Sequence, residues 1–434
     1  MKLLLASPPI HGHILSILGV AEGLASRGHD ICVLAGQKYR GRVEAAGARF
    51  LPLPAAVDFD DADLDAFLPG RADKRGIAAL RHDLIGIFMS VVPAQYRALR
   101  SALATESFDA VITELVFGGT LPYLLTTPRH RRPPVYGISS VPVTIDSVDT
   151  APFGLALPPR PGALGSLRNR ALNAFVHRVA FRPVVTALNQ ALAECGVTQG
   201  AWIFDAALSY DGVFQLTLSG LEYPRRELTD RIEFLGPLPA SSGGTELPDW
   251  WDQVGERPIV HVTQGTIDNL DFERLVAPTI RALADEPVTV VASTGGRDVE
   301  SLTDLFPEGR LPANVRVARY LPYGALLSRT SVMVTNGGFG GVQLAARHGV
   351  PLVVAGATED KPEVAARVAW AGMGVDLRTG TPSPERIAQA VGTVLADLRF
   401  AHQSAAIGSV LGADHDPISR ILAVIHEDAL TEVR

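Results

Sequence analysis

The chain has 434 residues, of which 47% are hydrophobic and 20% charged, and it carries a formal net charge of −7. That length is more than one hydrophobic core serves, so two domains are expected. The composition excludes a disordered chain, and the acidic balance argues against nucleic-acid or anionic-membrane partners drawn by the global field.

The opening "KLLLAS" reads as a strand, and its apolar run of four or five residues is stopped by prolines, too short for a signal peptide. "PPIHGHILSILG" follows and places His11 and His13 where this strand turns into a helix. Ile14, Ile17, Leu18, Ala21, Leu24 and Ala25 then keep helical spacing, and Gly28 supplies a stop. Further strands are "DICVLAG", "DAVIT" at 109–113 and "PVYGISS" at 134–140. The basic "RHRRPP" at 129–134 reads as a solvated loop between prolines. Residues 141–210 are less regular and interrupted by proline. They read as an insertion lining a cleft, with an amphipathic helix in "LGSLRNRALNAFVHRVAFRP".

"FLGPLPASSGGTELPDWWDQVGERP" at 234–258 combines Gly, Pro and Ser and reads as an interdomain linker. Beyond it lie "PIVHVTQG" (258–265), "VTVVAST" (288–294), "VRVARYL" (315–321), "SVMVTNGG" (331–338) and "PLVVAGA" (351–357). Such unbroken apolar runs, alternating with helical patterns, predict buried parallel strands and an α/β fold of two doubly wound, Rossmann-like domains. The expected division is 1–238, a linker at 239–257, 258–415, and a closing helix at 416–434 that packs back on the first domain. No apolar stretch approaches the roughly 18–20 residues of a membrane span, so no integral membrane segment is expected. Cys32 and Cys195 stand far apart without a CxxC partner, which suits a reducing cytoplasm and offers neither a disulfide framework nor a zinc motif.

The densest motif runs from 331 to 377: an apolar strand, a turn holding Gly337, Gly338, Gly340 and Gly341, a helix, then another apolar strand. Glycines there let backbone N–H groups approach an anion at a helix N-terminus. The alternative is a tight turn whose glycines serve packing alone. Neither a dinucleotide fingerprint nor a P-loop is present. The two histidines are open to three readings: metal ligands, a catalytic base with a neighbour, or polar residues ending a strand. A third His or a carboxylate that could complete a metal set is not evident nearby, because Glu22 and His29 lie well along the following helix.

"NGGFGGVQL", followed by "HGVPLVVAGATEDK" with Asp360 nine residues past Pro351, resembles the donor-site signature of GT-B fold, nucleotide-sugar-dependent glycosyltransferases. That family includes plant secondary-metabolite enzymes and actinobacterial macrolide and glycolipid enzymes. The resemblance extends to "RYLPYGALL" at 319–327, "VTQGT" at 262–266, "IEFLGPL" at 232–238 and the first helix. It implies two Rossmann-like domains facing each other across a cleft, with the donor on the second and a small lipophilic acceptor on the first. By the same resemblance Tyr320, beside Leu321, stacks on the base. Thr266, Asn336, Gly337, Gly338, Phe339 and Gly340 meet the pyrophosphate, and Asp360 with Lys361 meets the sugar. Three positions depart from the family pattern. Its phosphate-binding His is Asn336, its ribose-binding Glu falls on Leu344 beside Gln343, and its Gln is Lys361.

An acceptor hydroxyl must lose a proton as it attacks the anomeric carbon, and a neutral imidazole suits that task. The family's base is the His of the "GH" at the first turn, here Gly12 and His13, and its orienting acid maps to Glu114, where Asp is more usual. His13, at a helix N-terminus, is expected to have its pKa pushed down by the helix dipole. The resemblance thus implies an inverting transfer from a UDP- or TDP-sugar, with no metal or other cofactor, by a monomer or homodimer. A sugar-nucleotide epimerase and a non-catalytic auxiliary partner of the same fold are the alternatives.

Overall fold

The computed structural model describes residues 1–434 except 72, 240–245, 267, 413–414 and 433–434. The chain's first strand, β1 (Lys2–Ala6), is an interior strand of a sheet with β2 (Asp30–Ala35), β3 (Arg49–Pro52), β4 (Ala110–Glu114), β5 (Val135–Ser139), β6 (Gly212–Gln215) and β7 (Ile232–Phe234). All pairs are parallel, in the order β3-β2-β1-β4-β5-β6-β7. A second parallel sheet holds β8 (Ile259–Thr263), β9 (Thr289–Ser293), β10 (Val315–Ala318), β11 (Thr330–Thr335), β12 (Leu352–Val354) and β13 (Gly374–Asp376), in the order β10-β9-β8-β11-β12-β13. Helices cover both faces of each sheet, so central strands such as Leu3–Ala6 are fully buried on both sides.

The strand order reverses between β1 and β4 in one sheet and between β8 and β11 in the other. Ligands of open α/β sheets bind at such switch points, outside the carboxyl ends of the strands. His13 follows β1 and Glu114 ends β4; Thr266 follows β8 and Asn336 follows β11.

The structure departs from the sequence reading in several places. Strands β3, β6, β7 and β13 are three or four residues long, too short to stand out as apolar runs. The run "VRVARYL" leaves the sheet at Ala318, and Leu321 enters a core cluster with Trp251, Ile259 and Val291. Trp251 and Val254, inside the stretch read as a linker, therefore pack into the second half, while linker residues 240–245 lie outside the described residues. "RHRRPP" is not simply solvated: Arg132 is a buried side chain whose guanidinium donates to both oxygens of Asp211 at 2.5 and 3.1 Å. Asp211 also accepts from Arg129 and from the Val135 N–H. A helical run, Gly76–Thr105, is long and apolar enough by length and composition alone to cross a membrane, although polar residues such as Arg81, Asp83 and Arg97 interrupt it. It contributes Met89, Val92, Tyr96 and Leu99 to the core of the first half.

The last helix, Pro417–Glu432, returns to the first half, where Ile418, Ile421 and Ile425 pack with Ile17, Ala21 and Leu24. Ile418 sits so close over Gly23 that a β-carbon there would collide with it. A second link between the halves is buried and ionic. Arg367, from the helix Lys361–Trp370, donates to Glu222 Oε2 at 3.1 Å and to Glu363 Oε2 at 2.7 Å, and its guanidinium covers the Tyr223 ring.

Candidate active site

Two prolines end β1, and the helix His11–Ala25 starts without a side-chain cap. The His11 N–H is taken by Asp61 Oδ2 at 2.5 Å, while Gly12 is exposed with open space around it. His13, in the first turn, places Nδ1 2.8 Å from Glu114 Oε1. Glu114 is fully buried, and its other oxygen accepts the Val116 N–H at 2.7 Å. Both carboxylate oxygens are held, so the extra methylene relative to Asp is accommodated. With Nδ1–H donated to Glu114, Nε2 is the ring atom left to accept a proton.

Burial alone would lower the His13 pKa. The charge and hydrogen bond of Glu114, with the charges of Asp360 and Glu359, outweigh it and raise the pKa above 6.5. This reverses the direction expected from the helix dipole, because the Glu114 carboxylate, helped by the charges of Asp360 and Glu359, outweighs it. His11 behaves oppositely. Burial first, then the charges of Arg42 and Lys38, lower its pKa against the pull of Asp61, and its ring lies 6.5 Å from that of Tyr39.

In the second half, Asn336 donates its side-chain amide to the Gln264 carbonyl at 2.7 Å, tying the ends of β11 and β8 together. One amide hydrogen expected for a phosphate is thus engaged, and the buried Oδ1 has no partner. Gly337 has φ +87°, and a side chain there would meet Val354 and Lys361. Gly338 caps the helix Phe339–Arg347, with neither a side-chain cap nor an acid in its first turn. The N–H groups of Gly338, Phe339 and Gly340 have no acceptor among the described residues, so the helix start presents open donors. The Phe339 ring itself is core. Thr266 is exposed, and Tyr320 is 52% exposed with its ring against Gly296, where no side chain would fit.

Burial, reinforced by Glu359 and opposed by Lys361 and His13, raises the pKa of Asp360. His13 and Asp360 each lie in the other's field, so the two halves bring them to one cleft.

Three expected site residues are placed differently. Leu321 is a core side chain, 7% exposed. Gln343 is 1% exposed and accepts the Leu218 N–H at 2.9 Å, so it links the halves and does not reach into the cleft. The Lys361 ammonium is turned onto Glu359, Thr358 and Asp268, the last at 3.7 Å.

Two residues were missed from sequence. Asp268 accepts from the Thr358 hydroxyl at 2.9 Å and from Arg274 at 2.5 Å, fixing the loop before Asp360. Glu363 accepts the N–H groups of Gly154 and Ala156, both at 2.7 Å, and so pins a loop of the first half. Nothing in the sequence near Glu363 separates it from an ordinary first-turn helix acid. Among the described residues no group of His, Cys, Asp and Glu comes together that could hold a metal ion.

Two parallel-sheet domains facing each other across a cleft, each presenting its switch point, define a GT-B glycosyltransferase fold. The profile described as "Erythromycin biosynthesis protein CIII-like, C-terminal domain" matches residues 298–421. The chain is 39% identical over 406 residues to 4'-demethylrebeccamycin synthase of Lentzea aerocolonigenes, covering 92% of this chain and 93% of that protein. It is 34% identical over 418 residues to UDP-glycosyltransferase 2 of Phaeomoniella chlamydospora, covering 92% and 90%. Among solved structures, the glycotransferase of kitacinnamycin superposes with a TM-score of 0.72 at 21% identity, over 98% of each chain. The chain belongs to this family of glycosyltransferases and is an enzyme of that class.

Proposed function

We propose that the enzyme transfers a sugar from a UDP- or TDP-sugar to a hydroxyl of a small lipophilic natural product, inverting the anomeric centre. The observation that carries this reading is the His13–Glu114 pair at 2.8 Å, with Nε2 left to accept, in the cleft that also holds Asp360. The acceptor oxygen attacks the anomeric carbon in line with the departing phosphate oxygen. A carbon–oxygen bond forms as the bond to the nucleoside diphosphate breaks, and the hydroxyl proton passes to His13 Nε2. Glu114 holds the ring in the right tautomer and stabilises the imidazolium. The charge growing on the diphosphate is met by the N–H groups of Gly338, Phe339 and Gly340, the helix end, Thr266 and the free amide hydrogen of Asn336. Such fixed donors can carry that charge without a cation, so the reading includes no metal or other cofactor. Asp360 accepts from sugar hydroxyls, and Tyr320 stacks on the base.

Two relatives support the donor and acceptor classes by their names, a UDP-glycosyltransferase and a rebeccamycin-type synthase. The test is thermal stabilisation by UDP-, TDP- and GDP-sugars, followed by product mass with a mixed aglycone set. Stabilisation by a UDP- or TDP-sugar and a product heavier by one sugar are expected. No shift with any nucleotide overturns the reading in favour of an auxiliary partner. Conversion of the nucleotide sugar without acceptor points to an epimerase instead.

A further inference from the structure

The helix Ala163–Phe175 and its continuation Val176–Ala180 carry a surface that the cleft chemistry does not use. Leu164, Leu167, Phe175 and Val179 are 69%, 64%, 55% and 58% exposed. At 100° per residue Leu164, Leu167 and Phe175 fall within an arc of about 80°, a single stripe along the helix. The same surface is basic. Between Asp149 and Glu194 the sequence has five arginines and no Asp or Glu. Arg170, Arg178 and Arg182 are exposed and make no ion pair among the described residues.

The neighbouring helix Gly76–Asp83 adds Ile77 and Leu80, 47% and 44% exposed, and Arg81 fastens it to the Ala180 carbonyl. This helix opens the run Gly76–Thr105, whose hydropathy would suit lipid, yet whose later turns are core. A segment with one face in the protein core cannot span a bilayer, but it can lie on one.

We propose that this face docks the enzyme on an anionic lipid bilayer, with the leucines and Phe175 entering the interface and the arginines meeting lipid phosphates. Apolar side chains beside unpaired arginines, on an in-plane helix, are the chemistry such a surface recognises. A second copy of the chain is disfavoured as the occupant, because a two-fold interface would set the arginine stripe against its own image. The net charge of −7 does not prevent docking: fields are screened beyond about 8 Å in physiological salt, so the local stripe decides. Glu363 holds Gly154 and Ala156, in the loop leading into this helix, so docking also sets the edge of the cleft beside the bilayer.

The test is co-sedimentation of the full chain with large vesicles of phosphatidylcholine, alone or mixed with phosphatidylglycerol, without any nucleotide sugar. Its result is therefore independent of the proposed reaction. Binding to the mixed vesicles is expected, with weak binding to phosphatidylcholine and release by added salt. At roughly fivefold per arginine near the surface, replacing Arg170, Arg178 and Arg182 together by Ser weakens binding on the order of a hundredfold. Phe175→Gln, alone and with Leu164→Gln and Leu167→Gln, also weakens it, while the thermal unfolding midpoint holds because these side chains are exposed. Failure to bind either vesicle overturns the proposal, as does equal binding by the arginine variant. A wild-type dimer in sedimentation velocity that the glutamine variants dissolve overturns it in favour of a second copy.

Discussion

Arg367 and Glu222 meet at 3.1 Å across the two halves, each side chain 2% exposed. Removing one partner leaves the other only partly compensated, because Arg367 keeps Glu363 and Glu222 keeps Arg225 at 3.7 Å, so the loss is smaller than the ~3–5 kcal/mol of a fully stranded buried charge. Glu222→Gln and Arg367→Met should each lower the unfolding free energy measured by denaturant titration, by about 1–3 kcal/mol. Replacing both together by apolar residues should cost less than the sum of the two.

With His13 as the proposed base, the acid side of the pH profile should follow the His13–Glu114 pair. His13 carries the proton more readily than free histidine because Glu114, Asp360 and Glu359 stabilise the imidazolium. The proposed base is lost as pH falls through a value above 6.5, so kcat/KM should decline on that side. Glu114→Gln removes the main charge and leaves burial in control, so the acid limb should move to lower pH. Replacing His13 by Ala should cost about 10²- to 10⁴-fold in rate, with donor binding retained. An unmoved limb in Glu114→Gln would assign the titration to another group.

Asn336 and Gln343 separate by what their loss does. Asn336→Ala removes a proposed phosphate donor and frees the Gln264 carbonyl, so nucleoside diphosphate affinity measured by calorimetry should fall. Gln343→Ala leaves the Leu218 N–H buried without a partner, at about 1–3 kcal/mol of stability. Nucleotide affinity should then be unchanged. A loss of affinity with full stability would return Gln343 to the ribose.

His261 gives the protein an acid sensitivity unrelated to catalysis. It lies fully buried in β8, with Nδ1 2.9 Å from the Val291 carbonyl, and burial lowers its pKa to about 4. Between that value and 6.5 the unfolded chain binds this proton and the folded chain does not, so stability falls as pH drops through the interval. The contribution lost is on the order of 3 kcal/mol. Denaturant titrations at pH 7 and pH 4.5 should show a smaller drop in His261→Gln.

The readable parts of the sequence were those where strand and site share a local pattern. His13 and the glycine turn each follow an apolar run directly, and Glu114 ends one, so parallel strands deliver all three to switch points. Gln343, Leu321 and Glu363 were not readable in the same way. Gln343 and Glu363 meet partners more than a hundred residues away, and Leu321 joins a cluster with Trp251 from the presumed linker. The direction of the His13 shift was misread because the charge and hydrogen bond of Glu114 outweigh burial, with Asp360 and Glu359 adding to them from the other half of the chain. A local argument about the helix dipole could not include them.

The closing helix imposes an order on synthesis. The groove along Ile17, Ala21 and Gly23 is sealed by Ile418, Ile421 and Ile425, which follow the whole second domain in the chain. A nascent chain therefore carries an uncovered greasy groove on its first domain while the whole second domain is being translated. Of these two domains the earlier to leave the ribosome is the later to be completed, and that interval is when the chain most needs a chaperone.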